Sequence, residues 1–147
     1  MPNFSAIPWI AAHIELYRTD PEKAHMWDST PVGGPGPLPT LLLTTKGRKT
    51  GAPRALPLIY GPAGNGYVVI ASKGGMPQHP LWYENLVVNP DCEVQVGAKH
   101  VVVRARVAEG DVRERLWNEM VAIYPPYTAY QKATERTIPV VVLEPRK

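Results

Sequence analysis

The chain has 147 residues, 44% of them hydrophobic, which is enough for one domain with a buried core. Sixteen Lys and Arg against 13 Asp and Glu leave a net charge of +3, modest beside the basic surface of many nucleic-acid binders, so no nucleic-acid partner is expected. The one cysteine, Cys92, excludes an internal disulfide and a metal site built on several thiolates, and no metal is expected.

Residues 1–10 carry no basic n-region, and no later run reaches the roughly 18 apolar residues of a membrane span, so a cytoplasmic chain is expected. Ile7, Ile10, Ile14 and Tyr17 recur at helical spacing and predict an amphipathic helix over 5–18. Its apolar stripe packs on the body of the protein or meets a membrane surface, which leaves peripheral membrane association open. Residues 31–39, with four prolines and three glycines, read as a connector. Short β-rich runs follow at 40–45, 55–60 and 67–72, then at 94–96 and 101–107, separated by Gly, Pro and Asn clusters. Val112, Leu116, Trp117, Met120 and Ile123 place a helix over 111–123, Pro125-Pro126 starts a second short helix or turn, and 139–143 forms a last strand.

Six strands, with one helix after the third and a pair before the sixth, predict an α+β protein on a small closed sheet. The strands lie too close together for crossover helices, and no Gly-x-Gly-x-x-Gly follows the first, which disfavours a dinucleotide-binding fold.

Gly47-Arg48-Lys49-Thr50-Gly51 lies between two strands, where its glycines permit a tight turn that projects two cations. Such a turn suits an anion such as phosphate, or is a solvated hairpin tip. Ser72-Lys73-Gly74-Gly75 offers a hydroxyl, an ammonium and a backbone that a ligand can approach closely. His79-Pro80-Leu81-Trp82-Tyr83-Glu84-Asn85-Leu86 gathers aromatics on one short helix, as a flat wall or as a core stripe. His79 has no partner at metal-ligand spacing and is expected to bond to backbone. Tyr124, Tyr127 and Tyr130 either line a pocket and donate a proton or cap the sheet by packing; Tyr130 is expected to point partly away from the other two.

In order, Leu-Leu-Leu-Thr-Thr-x-Gly-Arg-Lys-Thr-Gly (41–51), Pro-Arg-x-x-Pro-Leu (53–58), Ala-Ser-Lys-Gly-Gly (71–75), His-Pro-x-Trp-Tyr-x-Asn-Leu (79–86) and Tyr-Pro-x-Tyr-x-x-Tyr-Gln (124–131) resemble the deazaflavin-dependent nitroreductases. The resemblance runs from about residue 40 to the C-terminus and does not include the first 39 residues. It implies a single domain over 1–147 with a six-stranded split β-barrel of the FMN-binding type and flanking helices. The implied cofactor is coenzyme F420, a deazaflavin with an anionic phosphate and oligoglutamate tail; FMN is the second reading. By position, Arg48, Lys49 and Arg54 would hold the phosphate and tail. Ser72, Lys73, Gly74 and Gly75 would approach the ring or its ribityl chain, and Pro57, Trp82 and Asn85 would complete the wall. Tyr124, Tyr127 and Tyr130 match the family's substrate-pocket tyrosines, with Tyr127 nearest the reacting ring. The implied reaction is hydride transfer to a small electron-poor acceptor, an activated alkene, quinone or nitro-heterocycle, with Ser72 polarising it. A non-catalytic F420 carrier is the alternative from another class, and the oligomeric state is open.

Overall fold

The computed structural model describes residues 8–30 and 34–146. Ile7 and residues 31–33 of the expected connector lie outside this range.

The chain opens with α1 (Pro8–Thr19) and α2 (Pro21–Ala24), then β1 (Met26–Asp28), β2 (Pro37–Lys46), β3 (Pro53–Ile59), β4 (Gly61–Ala63) and β5 (Gly66–Ile70). A 3-10 turn at Lys73–Gly75 leads to α3 (Leu81–Val88), β6 (Asp91–Val96), β7 (Lys99–Val107), α4 (Gly110–Ile123), α5 (Pro126–Lys132) and β8 (Val140–Pro145). The strands form one antiparallel sheet in the order β3-β2-β6-β7-β8-β5-β4, and β1 pairs with the first three residues of β2. The sheet curls until β3 approaches β5 without pairing, which leaves a half-barrel with a gap between its edges.

Among the described residues eight strands therefore replace the six expected. β1 and β4 are three residues each, below the length at which alternation is visible, and β4 is Gly61-Pro62-Ala63. At Gly61 a Cβ would stand 2.7 Å from Met120 Sδ, so a larger residue would have to displace the end of that side chain. The expected connector is also shorter than its composition suggested. Pro37 and Pro39 lie within β2 opposite Asp28 and Met26, at the end of the strand where proline's missing donor is tolerated.

β5 and β8 are buried on both faces, hence their almost uninterrupted apolar runs. Val68, Ile70, Val140 and Val142 face α4 and α5, where Leu116, Met120, Tyr124 and Tyr127 pack on them. Val69, Val141 and Leu143 turn to the other side, against Leu41, Leu43, Val94 and Val103. Val112, expected on the apolar face of α4, is exposed; Leu116 and Met120 supply the contact.

Of the stripe on α1 that left a membrane contact open, Ile10 and Tyr17 are buried and Ile14 is half-buried, so the described part of it packs on the body of the protein. His13, outside that stripe, is buried beside them, and the Tyr17 hydroxyl donates to the Thr40 carbonyl of β2. No helix among the described residues is long and apolar enough to cross a membrane. Met120, fully enclosed between α4, β4 and β5, should carry a large share of stability: Met120→Ala is expected to cost about 2–5 kcal/mol in chemical denaturation. A loss below about 0.5 kcal/mol would show that this layer is not a packed core.

Candidate functional site

A cavity of about 360 Å³ lies at the open side of the half-barrel, within the range of ligand sites. One wall is β3, where Leu56, Pro57, Leu58 and Ile59 follow one another along the lining. Trp82 of α3 and Pro80 form a second wall, and Tyr124, Tyr127 and Tyr130 a third. Ile10, His13 and Trp27 close the end beneath α1. Ser72, Lys73, Gly74 and Met76 supply the rim on the turn after β5. The lining is thus mostly apolar and aromatic, with a few polar groups set into it.

That turn has an unusual backbone. Lys73, Gly74 and Gly75 take φ values of 46°, 60° and 79°, all in the left-handed region, and Lys73 does so with a side chain. The two glycines serve different ends. A Cβ on Gly74 would meet nothing within 4 Å, so its backbone lies open to a ligand, whereas one on Gly75 would stand 2.6 Å from the Tyr130 carbonyl oxygen. Gly75 is glycine so that α5 can press onto the turn; it does not line the cavity.

Arg136 holds the turn in place. Its guanidinium donates to the carbonyls of Ser72 (2.7 Å), Met76 (2.9 Å) and Ala71 (3.2 Å), and to His79 Nδ1 (3.1 Å). Gln131 fixes the backbone that leaves this arginine, donating to the Arg136 carbonyl at 2.8 Å and accepting from Ile138 N at 2.9 Å. Sequence reasoning missed Arg136, because a lone arginine 60 residues from the turn it grips carries no local signal. His79 was expected to bond to backbone. It instead accepts from a cation, which requires a lone pair on Nδ1 and so a neutral ring. Burial first, and the Arg136 charge second, lower its pKa, with Glu84 acting weakly the other way.

The basic turn, at the far end of the β2–β3 hairpin, is clamped from α3. Asn85, 5% exposed, accepts from Arg48 N at 3.1 Å and donates to Thr45 Oγ1 at 3.1 Å. Asn85 therefore shapes the turn and is not in the cavity lining. The Arg48 guanidinium lies 3.6 Å from Glu84, while Lys49 and Arg54 make no ion pair among the described residues. Arg54 shares a face of β3 with Leu56 and Leu58, so the positive charge stands at the end of the cavity wall without lining it.

The three tyrosines form one cluster. Tyr124 and Tyr130 share a hydroxyl–hydroxyl bond of 2.7 Å, and Tyr127 meets Tyr124 edge-on at a centroid distance of 4.8 Å. Tyr130 does not point elsewhere, because Tyr124 terminates α4 and folds back over α5. Burial is the first cause that raises the pKa of both Tyr124 and Tyr127 well above a free phenol, so both are protonated at neutral pH. The Tyr127 hydroxyl and Ser72 Oγ take no hydrogen bond among the described residues, and no described buried polar side-chain atom lacks a partner. Both oxygens consequently open on the cavity they line. Cys92 does not line it, and burial pushes its thiol up to about 12, which leaves it unreactive.

Of the residues singled out in the sequence, Pro57, Ser72, Lys73, Gly74, Trp82, Tyr124, Tyr127 and Tyr130 come together around the cavity. Arg48, Lys49, Arg54, Asn85 and Gly75 do not line it. Ile10, His13 and Trp27 were not foreseen in this role, since they belong to the segment without a recognised motif.

The family model for F420H(2)-dependent quinone reductases matches residues 16–145. An F420H(2)-dependent quinone reductase of Mycobacterium tuberculosis is 47% identical over 117 residues, covering 76% of this chain and 77% of the relative. A solved F420-H2-dependent reductase is similar with a TM-score of 0.67 and 44% identity, covering 71% of this chain and 93% of its own. A further solved structure, described as a domain-swapped dimer, has a TM-score of 0.71 and 37% identity, covering 93% of this chain and 98% of its own.

His13 and His79 both have pKa values lowered chiefly by burial, so the unfolded chain takes up protons before the folded one does. Their contribution to stability is complete above the ordinary value of about 6.5 and is lost as pH falls through their folded values. NMR titration should give midpoints below about 6.5 for both, and Arg136→Gln should move the His79 midpoint upward. A His79 midpoint unmoved by that substitution would contradict the bond to Arg136.

Proposed function

We propose, from the premise that this chain belongs to the F420H(2)-dependent quinone reductase family, that it reduces a quinone-class acceptor with F420H2 bound along the β3 wall. The observation that carries this reading is an apolar, aromatic cavity whose β3 wall runs on into a cationic hairpin end. A molecule with a flat ring and an anionic tail matches both parts. The residues fit the group: Gly74 leaves open backbone at the rim, and Trp82 and Pro57 offer flat apolar surface. The half-barrel with its open edges is the single-chain core of a split β-barrel, the fold in which we place it.

In this reading Lys49 and Arg54 bind the phosphate and tail, and Arg48 joins them from its place beside Glu84. Asn85 acts through the turn as a positioning residue. Ser72 Oγ and the backbone at Lys73 and Gly74 face the polar edge of the ring, on a turn kept rigid by Arg136. Bound F420H2 supplies a hydride. The apolar walls exclude water from the transfer, and the unbonded Tyr127 hydroxyl, protonated at neutral pH, is placed to give a proton to the acceptor oxygen. The Tyr124–Tyr130 hydroxyl pair holds the cluster in shape.

Anaerobic single-turnover oxidation of F420H2 by menadione tests this assignment. Tyr127→Phe is expected to slow the step on the order of a hundredfold while leaving F420 affinity within about twofold. Lys49→Ala is expected to weaken F420 binding roughly tenfold, with a smaller effect at high salt. Absence of F420H2 oxidation by the unaltered protein would reject the function, and an unchanged rate in Tyr127→Phe would reject the proton donor alone.

A further inference from the structure

His13, at the end of the cavity beneath α1, has no part in the chemistry assigned above. It is 7% exposed and its ring packs nearly parallel to those of Tyr17 and Trp27, at centroid distances of 5.6 and 6.5 Å. Nε2 lies 2.9 Å from the Ala24 carbonyl oxygen and 3.4 Å from Thr40 Oγ1. A carbonyl can only accept, so Nε2 carries the hydrogen, and the neutral ring keeps a lone pair on Nδ1. Nδ1 takes no hydrogen bond among the described residues, yet no described buried side-chain nitrogen or oxygen lacks a partner. It therefore reaches open space, and the space that His13 lines is the cavity.

Strand register locates this lone pair. Thr40, beside His13, is the partner of Ile59, whereas the cationic end of the hairpin begins at the Thr45–Arg54 pair. Five residues of strand separate the two ends, about 17 Å. His13 is too far from the basic turn to serve an anionic tail, and a buried acceptor without charge is of no use to one. It suits a neutral donor, such as a hydroxyl on a flat ring that Trp27 and Ile10 cover.

We propose that the α1 end of the cavity is a subsite for the oxygen of the reduced co-substrate, in which His13 Nδ1 accepts a hydrogen bond from a ring hydroxyl of a hydroquinone or a phenol of like shape. This rests on the reading of the cavity as the place of quinone reduction. A quinone carbonyl brings no hydrogen to Nδ1 and a hydroquinone does, so the subsite prefers the reduced form. α1 and β1 thereby acquire a role in choosing the co-substrate, through His13, Ile10 and Trp27, separate from the cofactor contacts on β3 and the 72–76 turn.

Two substitutions separate the two nitrogens. Glutamine can keep a donor near Nε2, bonded to Ala24, and has no atom equivalent to Nδ1; asparagine keeps a polar atom near Nδ1 and loses the Ala24 bond. The probes are 1-naphthol and 1-methoxynaphthalene, which are alike except for the hydroxyl hydrogen. Their affinities are measured by NMR titration with and without saturating oxidised F420, whose own binding is followed by its fluorescence. The unaltered protein should bind 1-naphthol five- to tenfold tighter than the ether, roughly one hydrogen bond. The preference should fall below about twofold in His13→Gln and persist in His13→Asn, and the His13 Nδ1 resonance should shift only with 1-naphthol. A preference that survives His13→Gln, or is absent from the unaltered protein, overturns the subsite, and His13→Gln decides the matter alone if the asparagine variant does not fold. Failure of the unaltered protein to bind F420 rejects the cofactor reading instead, and the titration without F420 still decides the role of His13.

Discussion

The Arg136 guanidinium gathers three carbonyls and one imidazole nitrogen, and the shape of the cavity follows from that gathering. The carbonyls of Ala71, Ser72 and Met76 come from the end of β5 and the turn behind it, and His79 stands just before α3. One cation thus ties the strand end, the turn and the start of the helix that carries Trp82. The turn needs such a tie, because left-handed backbone at Lys73 costs roughly 1–2 kcal/mol in a residue with a Cβ. Charge-assisted bonds of about 1.5–3 kcal/mol each exceed that cost, and Gly75 lets α5 close on the turn from behind.

On this frame three regions of different chemistry follow one another along β3. The hairpin end, beyond the cavity lining, carries positive charge on a turn that Asn85 bonds; the middle of the cavity is apolar, between Pro57 and Trp82; the α1 end carries the neutral lone pair of His13. That arrangement explains why β3 lines the cavity with four residues in succession. As an edge strand paired only with β2, it leaves its other side to the ligand.

Much of this was legible in the sequence because it is local. β2, β3, β5, β6, β7 and β8 correspond to the six runs read from alternation and turn residues, and eight of the residues named in advance surround the cavity. What escaped was short or non-local. β1 and β4 are too brief to show a period, and the proline count hid the first residues of β2. Arg136, His13 and the true work of Asn85 depend on partners distant along the chain: Met76 and Ser72, Ala24, and Thr45 with Arg48. Tyr130 was expected to point partly away from Tyr124 and Tyr127, but Tyr124 caps the end of α4 and its hydroxyl meets that of Tyr130.

The most direct test of the account is an equilibrium titration of the purified protein with F420 and, in parallel, with FMN, at low and at high salt. The account predicts selective binding of F420 that weakens as salt rises, because the longer anionic tail reaches the Lys49 and Arg54 end of the hairpin. Equal or tighter binding of FMN, or binding of neither, would contradict it.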